Sequence, residues 1–143
     1  MAAHQLTLSV PATPAAVTAA RHQTVDAIAG WKAELDDEVL HTAELVVSEL
    51  VTNAVQHTHT GQVSVTVRVA GAVLRIEVSD SSPVLPRPGL PDGHSERGRG
   101  LFLVTALADR HGAHPTSMGK QCWAEIALTT SSRQKISLPP QRS

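Results

Sequence analysis

The sequence predicts an α+β fold, a two-layer α/β sandwich in which helices cover one face of a mixed, largely antiparallel sheet. Segments with a two-residue hydrophobic period lie near the start, the middle and the end of the chain, and this period favours strands. Segments with a helical period lie between them. The 143 residues suit a single domain of this class.

The first elements are indicated by alternation and by capping signals. Residues 4–10 alternate apolar and polar side chains, which predicts a strand. Thr13 followed by proline is typical of a helix start and predicts a helix over about 14–30. An aspartate at 36 or 37 can cap a second, longer helix that reaches about Thr58.

A hairpin and a long loop follow. Residues 63–69 and 73–80 read as two strands joined by a turn near Gly71. The segment 81–97 is rich in proline and glycine, which excludes a long helix and discourages a central strand. A loop of this length inside a small domain is usually functional or disordered.

The remaining chain predicts one more helix and two more strands. The helix covers 101–111 with Gly112 as its C′ residue, and the strands lie near 113–118 and 120–128. The domain therefore covers 4–128, and the tail 129–143, rich in serine, glutamine, proline and arginine, is expected to be flexible.

Composition excludes several classes of function. The net charge of −1, from 12 basic and 13 acidic residues, argues against a general nucleic-acid surface or a polybasic membrane patch. The lone Cys122 cannot form an internal disulfide and reads as a small core residue. No apolar run reaches the roughly 18 residues of a membrane helix. We expect a cytoplasmic protein with no direct nucleic-acid or membrane partner.

Glu49 and Asn53 flank the apolar stripe of the second helix, one turn apart. A carboxamide oxygen can ligate a hard cation such as Mg²⁺, and a carboxylate can orient a water or accept a hydroxyl proton. On spacing alone, a helix edge with two solvated polar residues is the favoured interpretation, and the ligand-binding interpretation stays open.

Asp80 ends the core-facing row of its strand, after Leu74, Ile76 and Val78. A buried carboxylate needs a donor, and an exocyclic amino group such as that of adenine would serve. The alternative is a strand end at which Asp80 begins a turn with Ser81-Ser82-Pro83.

The segment Gly98-Arg99-Gly100 precedes an apolar helix. Its glycines let backbone N–H groups approach an anion at the helix N-terminus, and Arg97 or Arg99 could reach phosphates. A simple hinge is the alternative. Neither the Rossmann nor the P-loop glycine pattern occurs.

The eight histidines do not predict a metal site. His57 and His59, like His111 and His114, are closely spaced, but no carboxylate or cysteine completes a ligand set at a usual spacing. Surface or loop positions are the better interpretation.

Four segments, taken together and in order, resemble the nucleotide-binding domain of the GHKL superfamily, which has the Bergerat-type fold. Residues 44–57 (ELVVSELVTNAVQH) resemble its N box, 74–88 (LRIEVSDSSPVLPRP) its first glycine box, 96–107 (ERGRGLFLVTAL) its second, and 119–126 (GKQCWAEI) its closing strand. Within the superfamily the chain is most similar to stand-alone bacterial anti-sigma factor and serine-kinase proteins of the actinobacterial form.

The resemblance implies ATP and Mg²⁺ as cofactors. It implies that Asn53 coordinates Mg²⁺ on the ATP phosphates, that Glu49 is the catalytic residue, as a general base or by ordering a water, and that Asp80 accepts a hydrogen bond from the adenine amino group. The segment 81–97 becomes the ATP lid. The remaining nucleotide-binding positions implied are Ser82, Val84, Arg97, Gly98, Arg99, Gly100, Leu101 and Gln121.

The activity implied is that of an ATP-dependent protein serine/threonine kinase, which phosphorylates an anti-anti-sigma partner and also acts as an anti-sigma factor. The chain departs from the family at Ser82, where a glycine is usual, and at Gln121, where a threonine is common. These departures motivate the alternative of a non-catalytic nucleotide-binding or pure protein-interaction module that sequesters a regulator. The sigma factor is not identified, and a homodimer stays open.

Overall fold

The computed structural model describes residues 4–31, 35–58, 61–82 and 104–128. In this part of the chain the residues 104–107 are also helical. The named elements, in chain order, are β1 (His4–Pro11), α1 (Pro14–Gly30), α2 (Asp37–His57), β2 (Gln62–Ala70), β3 (Val73–Asp80), β4 (Arg110–Pro115) and β5 (Lys120–Ala127).

The strands form one sheet in the order β1-β2-β3-β5-β4. Each neighbouring pair of described strands is antiparallel. Helix α2 packs on β2, β3 and β5, and α1 packs on α2 and β1. The predicted α+β sandwich is therefore confirmed, with an antiparallel pairing at each described position of the sheet.

Local signals set the bounds of the helices and of the first hairpin. Asp36 is the N-cap of α2, and its Oδ1 accepts a hydrogen bond of 2.9 Å from the backbone N–H of Val39. Thr13 is the N-cap residue of α1, but its side chain makes no cap hydrogen bond. Gly71 has φ +61°, the conformation that the first position of a tight hairpin turn favours, and it joins β2 to β3.

The core lies between α2 and the apolar face of the three central strands. Each of these strands buries every second side chain, which is the pattern expected when one face of a sheet is covered. A buried aliphatic side chain of this size stabilises the fold by roughly 1.5–3 kcal/mol. The fully buried residues at the centre include Val46, Val47, Val51, Val65, Val67, Leu74, Ile76, Ala124 and Ile126.

The predicted boundary between the last helix and the strand that follows it is wrong. The helix expected over 101–111 gives way to β4 at Arg110, so Gly112 is a strand residue and not a helix cap. Gly112 pairs with Trp123, and a Cβ at Gly112 would lie 2.9 Å from atoms of the indole ring. The edge strand β4 exposes nearly all its side chains and so carries no hydrophobic period to reveal it.

The opposite face of the sheet is polar, and its charged side chains form ion pairs with one another. Arg68 donates to Glu77 at 2.9 Å, and Arg75 donates to Glu77 at 2.5 Å and to Glu125 at 2.7 Å. Burial alone would lower the pKa of Arg75, but its hydrogen bonds to Glu77 and Glu125 and their negative charges outweigh burial and raise the pKa above its ordinary value. The Arg75 guanidinium also lies 4.3 Å from the centroid of a Trp123 ring.

No helix among the described residues is long and apolar enough to cross a lipid bilayer.

Candidate functional site

Three polar residues, Glu49, Asn53 and His57, lie one above another on α2. They are spaced four residues apart, so they share one side of the helix, about 6 Å apart along its axis. Asn53 is buried, while Glu49 and His57 are partly exposed. We call this row the polar stripe of α2.

Asn53 is a buried member of the polar stripe whose side chain has no hydrogen-bond partner among the described residues. Asn53 is 3% exposed. Within the described chain neither its Oδ1 nor its Nδ2 has a hydrogen bond. An unsatisfied buried polar group costs about 1–3 kcal/mol. A carboxamide left in this state has an oxygen free to ligate a hard cation and a nitrogen free to donate, so its chemistry fits Mg²⁺ on a phosphate chain.

Glu49 lies one turn before Asn53 and is partly buried. Desolvation raises the pKa of its carboxyl group above 4.5. A raised pKa improves a carboxylate as a general base near neutral pH. No cluster of three or more His, Cys, Asp or Glu residues that could hold a metal occurs among the described residues.

Asp80 ends β3 beside a lysine that the sequence interpretation did not include. Lys120 is paired directly with Asp80 in the β3–β5 register. Its Nζ lies 2.9 Å from Asp80 Oδ2 and 3.0 Å from Asp80 Oδ1. The Lys120 side chain is 0% exposed and that of Asp80 is 1% exposed. The buried carboxylate therefore has a protein donor of opposite charge.

Both interpretations of Asp80 describe part of its environment. Besides the contacts with Lys120, Asp80 Oδ1 accepts a hydrogen bond of 2.8 Å from the backbone N–H of Ser82. Asp80 is thus a buried carboxylate with a donor and also the first residue of a turn. Ser82 lies next to the predicted base-binding carboxylate and contacts it through its backbone.

The third contact of Lys120 connects the sheet to the polar stripe of α2. Lys120 Nζ lies 3.4 Å from Nδ1 of His57. An ammonium group can only donate, so His57 Nδ1 is the acceptor in this contact. The contact fixes the end of α2 against the buried ion pair.

Gly119 allows β5 to begin close to the end of β3. A Cβ at Gly119 would lie 2.2 Å from the backbone oxygen of Asp80 and 2.7 Å from Cα of Ser81. Only glycine fits so near a backbone. The signal that could have revealed Lys120 was in the sequence: alternation places Lys120 in the same core-facing row as Cys122, Ala124 and Ile126.

The prediction for Gln121 needs correction. Gln121 is the next residue along β5, so its side chain lies on the sheet face opposite to Lys120 and Asp80. Its Nε2 donates to Ser79 Oγ at 3.5 Å on that face. The structure brings Glu49, Asn53 and Asp80 to the helix side of the sheet, joins the Ser82 backbone to Asp80, and places Gln121 on the other side.

The remaining predicted positions lie outside the described residues. These are Val84, Arg97, Gly98, Arg99, Gly100 and Leu101, together with most of the predicted lid 81–97 and the tail 129–143. Their roles on the phosphate side of the site stay predictions.

The comparisons with known proteins agree with this geometry. The family model of the histidine kinase-like ATPase domain matches residues 10–125. The chain therefore belongs to the histidine kinase-like ATPase family, and the predicted membership of the GHKL superfamily is confirmed. The family implies ATP as the ligand.

Among solved structures, the chain is similar to the crystal structure of the RsbU and RsbW domains of Rv1364c from Mycobacterium tuberculosis, with a TM-score of 0.67 and 22% identity. The match covers 87% of this chain and 32% of that chain, so this chain spans about a third of its length. At this identity the likeness shows the fold alone. No curated protein matches the chain.

Proposed function

We propose that the chain is an ATP-binding regulatory protein that acts as an anti-sigma factor and as a serine/threonine kinase towards an anti-anti-sigma partner. The observation that carries the proposal is Asn53, a buried carboxamide with no partner, one turn from Glu49 on α2. A helix packed against a sheet retains such a group at a cost of about 1–3 kcal/mol, which a bound ligand would offset.

In the proposed complex, Asp80 binds one end of the nucleotide and the polar stripe of α2 faces the other end. Asp80 accepts a hydrogen bond from the adenine amino group, and Asn53 lies towards the phosphates, where its oxygen would ligate Mg²⁺. When bound, Mg²⁺ neutralises charge on the phosphate chain. Asn53 is about 6 Å along the helix axis from both Glu49 and His57, so the stripe extends about 12 Å away from the Lys120–Asp80 pair.

We assign Glu49 the role of general base, because desolvation raises the pKa of its carboxyl group and it lies one turn from Asn53. In the proposed transfer, the hydroxyl oxygen of the partner serine forms a bond to the γ-phosphorus. The bond between that phosphorus and the bridging oxygen of ADP breaks, and Glu49 takes the hydroxyl proton. Such proton transfer contributes typically 10²–10⁴-fold to a rate, and positioning supplies most of the rest.

The partners are proposed from the resemblance. The four ordered motifs are those of the anti-sigma and serine-kinase group, and the fold likeness to a structure with an RsbW domain is consistent with that group. An anti-anti-sigma protein would present the serine, and the nucleotide state and partner phosphorylation would decide whether a sigma factor is bound.

The test is phosphoryl transfer from γ-labelled Mg·ATP to a candidate anti-anti-sigma protein. We expect transfer by the wild type, a loss of about 10²-fold or more in Glu49→Gln, and loss of ATP binding in Asn53→Ala. Glu44→Gln is the matched control, because Glu44 lies on the same helix but is paired at the surface with Arg21 at 3.7 Å. A folded wild type that binds ATP and transfers nothing to its cognate partner would contradict the kinase assignment.

A non-catalytic binding module is the second candidate. Two observations favour it: Gln121 lies on the far face of the sheet, and Asp80 already has a protein partner in Lys120. This candidate predicts capture of the sigma factor or its regulator without transfer, and equal capture by wild type and Asn53→Ala.

A further inference from the structure

Buried side-chain atoms that lack a hydrogen-bond partner are concentrated at the C-terminal end of α2. Among the described residues six such atoms occur, and four of them belong to Asn53, Gln56 and Thr58. The other two lie on α1. An unsatisfied buried polar atom destabilises the fold, and a ligand that pairs with it removes that cost. The distribution of these atoms therefore points to the C-terminal half of α2 as the part of the helix that faces a ligand.

Gln56 lies beside the polar stripe of α2, on the side away from the core. It follows Asn53 by three residues, which places it about 60° to one side of Asn53 around the helix axis, whereas the buried Leu50 lies about 60° to the other side. Glu49 lies on the same side as Gln56, about 20° from it. Gln56 is partly exposed, but its Oε1 is buried and has no hydrogen bond. Gln56 therefore presents a buried acceptor on the side of α2 that carries Glu49 and Asn53.

The level of Gln56 along α2 indicates which part of a nucleotide it meets. The rise of the helix places Gln56 about 4.5 Å beyond Asn53 and about 1.5 Å before His57. His57 is at the level of Asp80, the proposed contact of the base, because both side chains contact the Lys120 ammonium group. Asn53 is at the level proposed for the phosphates. Gln56 thus lies between these two levels, and the part of a nucleotide between base and phosphates is the sugar.

The chemistry of the buried atom agrees with this position. A carboxamide oxygen accepts hydrogen bonds and cannot donate them. Phosphate oxygens are also acceptors, so an acceptor placed against them would stay unsatisfied. Hydroxyl groups donate, and the sugar of a ribonucleotide has two of them, at positions 2′ and 3′. Between the base and the phosphates, a sugar hydroxyl is therefore the group that pairs with the Gln56 oxygen.

We propose that Gln56 is a nucleotide-binding residue whose Oε1 accepts a hydrogen bond from a sugar hydroxyl, so that the site prefers a ribonucleotide to one without sugar hydroxyls. The inference rests on the proposed nucleotide binding and deepens it. It adds a contact to the part of the ligand that lies between the proposed contacts of Asp80 and Asn53.

The experiment is calorimetric titration with two Mg²⁺ nucleotides, ATP and 2′,3′-dideoxy-ATP, which share the base and the phosphates and differ only in the sugar hydroxyls. For the wild type we expect the dideoxy nucleotide to bind about tenfold more weakly, because it leaves the buried oxygen of Gln56 unpaired. In Gln56→Leu and in Gln56→Ala the oxygen is gone, so ATP should lose its advantage and the two nucleotides should bind within about twofold of each other.

The matched control is Gln23→Ala, which makes the same change at an exposed position of the other helix. It should keep the wild-type preference for ATP. Circular dichroism establishes that each variant is folded, and alanine suits a helix well, so Gln56→Ala keeps the comparison available if the leucine variant unfolds.

Equal binding of the two nucleotides by the wild type would overturn the inference and leave the proposed function standing, and this measurement needs no variant. A folded Gln56→Ala that retains the wild-type preference would also overturn it. The same holds if Gln56→Ala weakens both nucleotides by one common factor, because Gln56 would then contact the base or the phosphates and not the sugar. Failure of the wild type to bind either nucleotide would overturn the proposed function and the inference together.

Discussion

Replacing Lys120 by methionine should destabilise the fold far more than breaking a surface ion pair of the same length. The Lys120–Asp80 pair and the Arg68–Glu77 pair both have N–O distances of 2.9 Å and both lie on the same sheet. They differ in burial: Lys120 is 0% exposed, whereas the Arg68 side chain is 43% exposed.

Burial sets the magnitude. Removing one partner of a buried pair leaves an uncompensated charge and costs about 3–5 kcal/mol. An exposed pair is worth about 0–1 kcal/mol, and Glu77 keeps Arg75 as a partner when Arg68 is removed. Domains have a free energy of unfolding of about 5–15 kcal/mol. Lys120→Met should therefore still fold, but it should unfold at a much lower denaturant concentration.

Urea unfolding followed by far-ultraviolet circular dichroism measures the difference. With a slope of about 2 kcal/mol per molar urea, Lys120→Met should lower the midpoint by roughly 1.5–2.5 M, and Arg68→Met by less than about 0.5 M. Asp80→Asn/Lys120→Met removes both charges and should recover most of the loss, because uncharged pairs of similar volume often replace buried ion pairs at little cost.

Equal midpoint shifts in Lys120→Met and Arg68→Met would refute the argument from burial. A double variant no more stable than Lys120→Met would also refute it, because the loss would then come from packing around the lysine stem and not from the unpaired carboxylate.

Three further predictions address the polar stripe of α2 and the sheet. Asn53→Leu should raise the stability of the nucleotide-free protein by about 1 kcal/mol or more, since it removes an unsatisfied buried amide, and should abolish stabilisation by Mg·ATP in thermal unfolding. Because desolvation raises the pKa of Glu49 in the folded chain, its contribution to stability is lost as pH rises from the unfolded to the folded pKa. Glu49→Gln should therefore gain stability relative to wild type across that window in urea titrations, and wild-type transfer should fall on acidification at a pH above 4.5. Gly112→Ala should cost about 1–3 kcal/mol and shift tryptophan fluorescence, because its Cβ would lie 2.9 Å from the Trp123 indole. Gly30→Ala, with nothing within 4 Å of its Cβ, is the matched control and should be neutral; equal costs would contradict the packing argument.

The sequence predicts most of this fold because its local signals agree with its hydrophobic periods. The Asp36 cap, the proline at the start of α1 and the glycine turn at Gly71 each lie at an element boundary. The alternation in β2 and β3 predicts which side chains are buried. Strand β4 is the exception. It is an edge strand that pairs with β5, and its side chains are nearly all exposed, so its sequence shows no alternation of apolar and polar residues.

The candidate site was predictable residue by residue but not as an arrangement. Glu49, Asn53 and Asp80 are recognisable because each is polar where its element is otherwise apolar. That Asp80 meets Lys120 depends on the β3–β5 register, a pairing between residues 40 positions apart. No local pattern specifies such a register; the face covered by α2 does, since a shift by one residue would turn Lys120 outward.

Neighbouring members of the polar stripe of α2 differ in how far the protein satisfies their polar groups. At the base end, which is the end of the stripe at His57, the side chains of Asp80, Lys120 and His57 contact one another, so the acceptor is fixed before any ligand arrives and little ordering is needed on binding. One turn away, at the middle of the stripe, Asn53 remains unsatisfied, and its cost can be recovered only when a ligand binds. Changes at the base end should therefore alter base selectivity and stability together, whereas changes at Asn53 should alter affinity while leaving the empty fold as stable or more so.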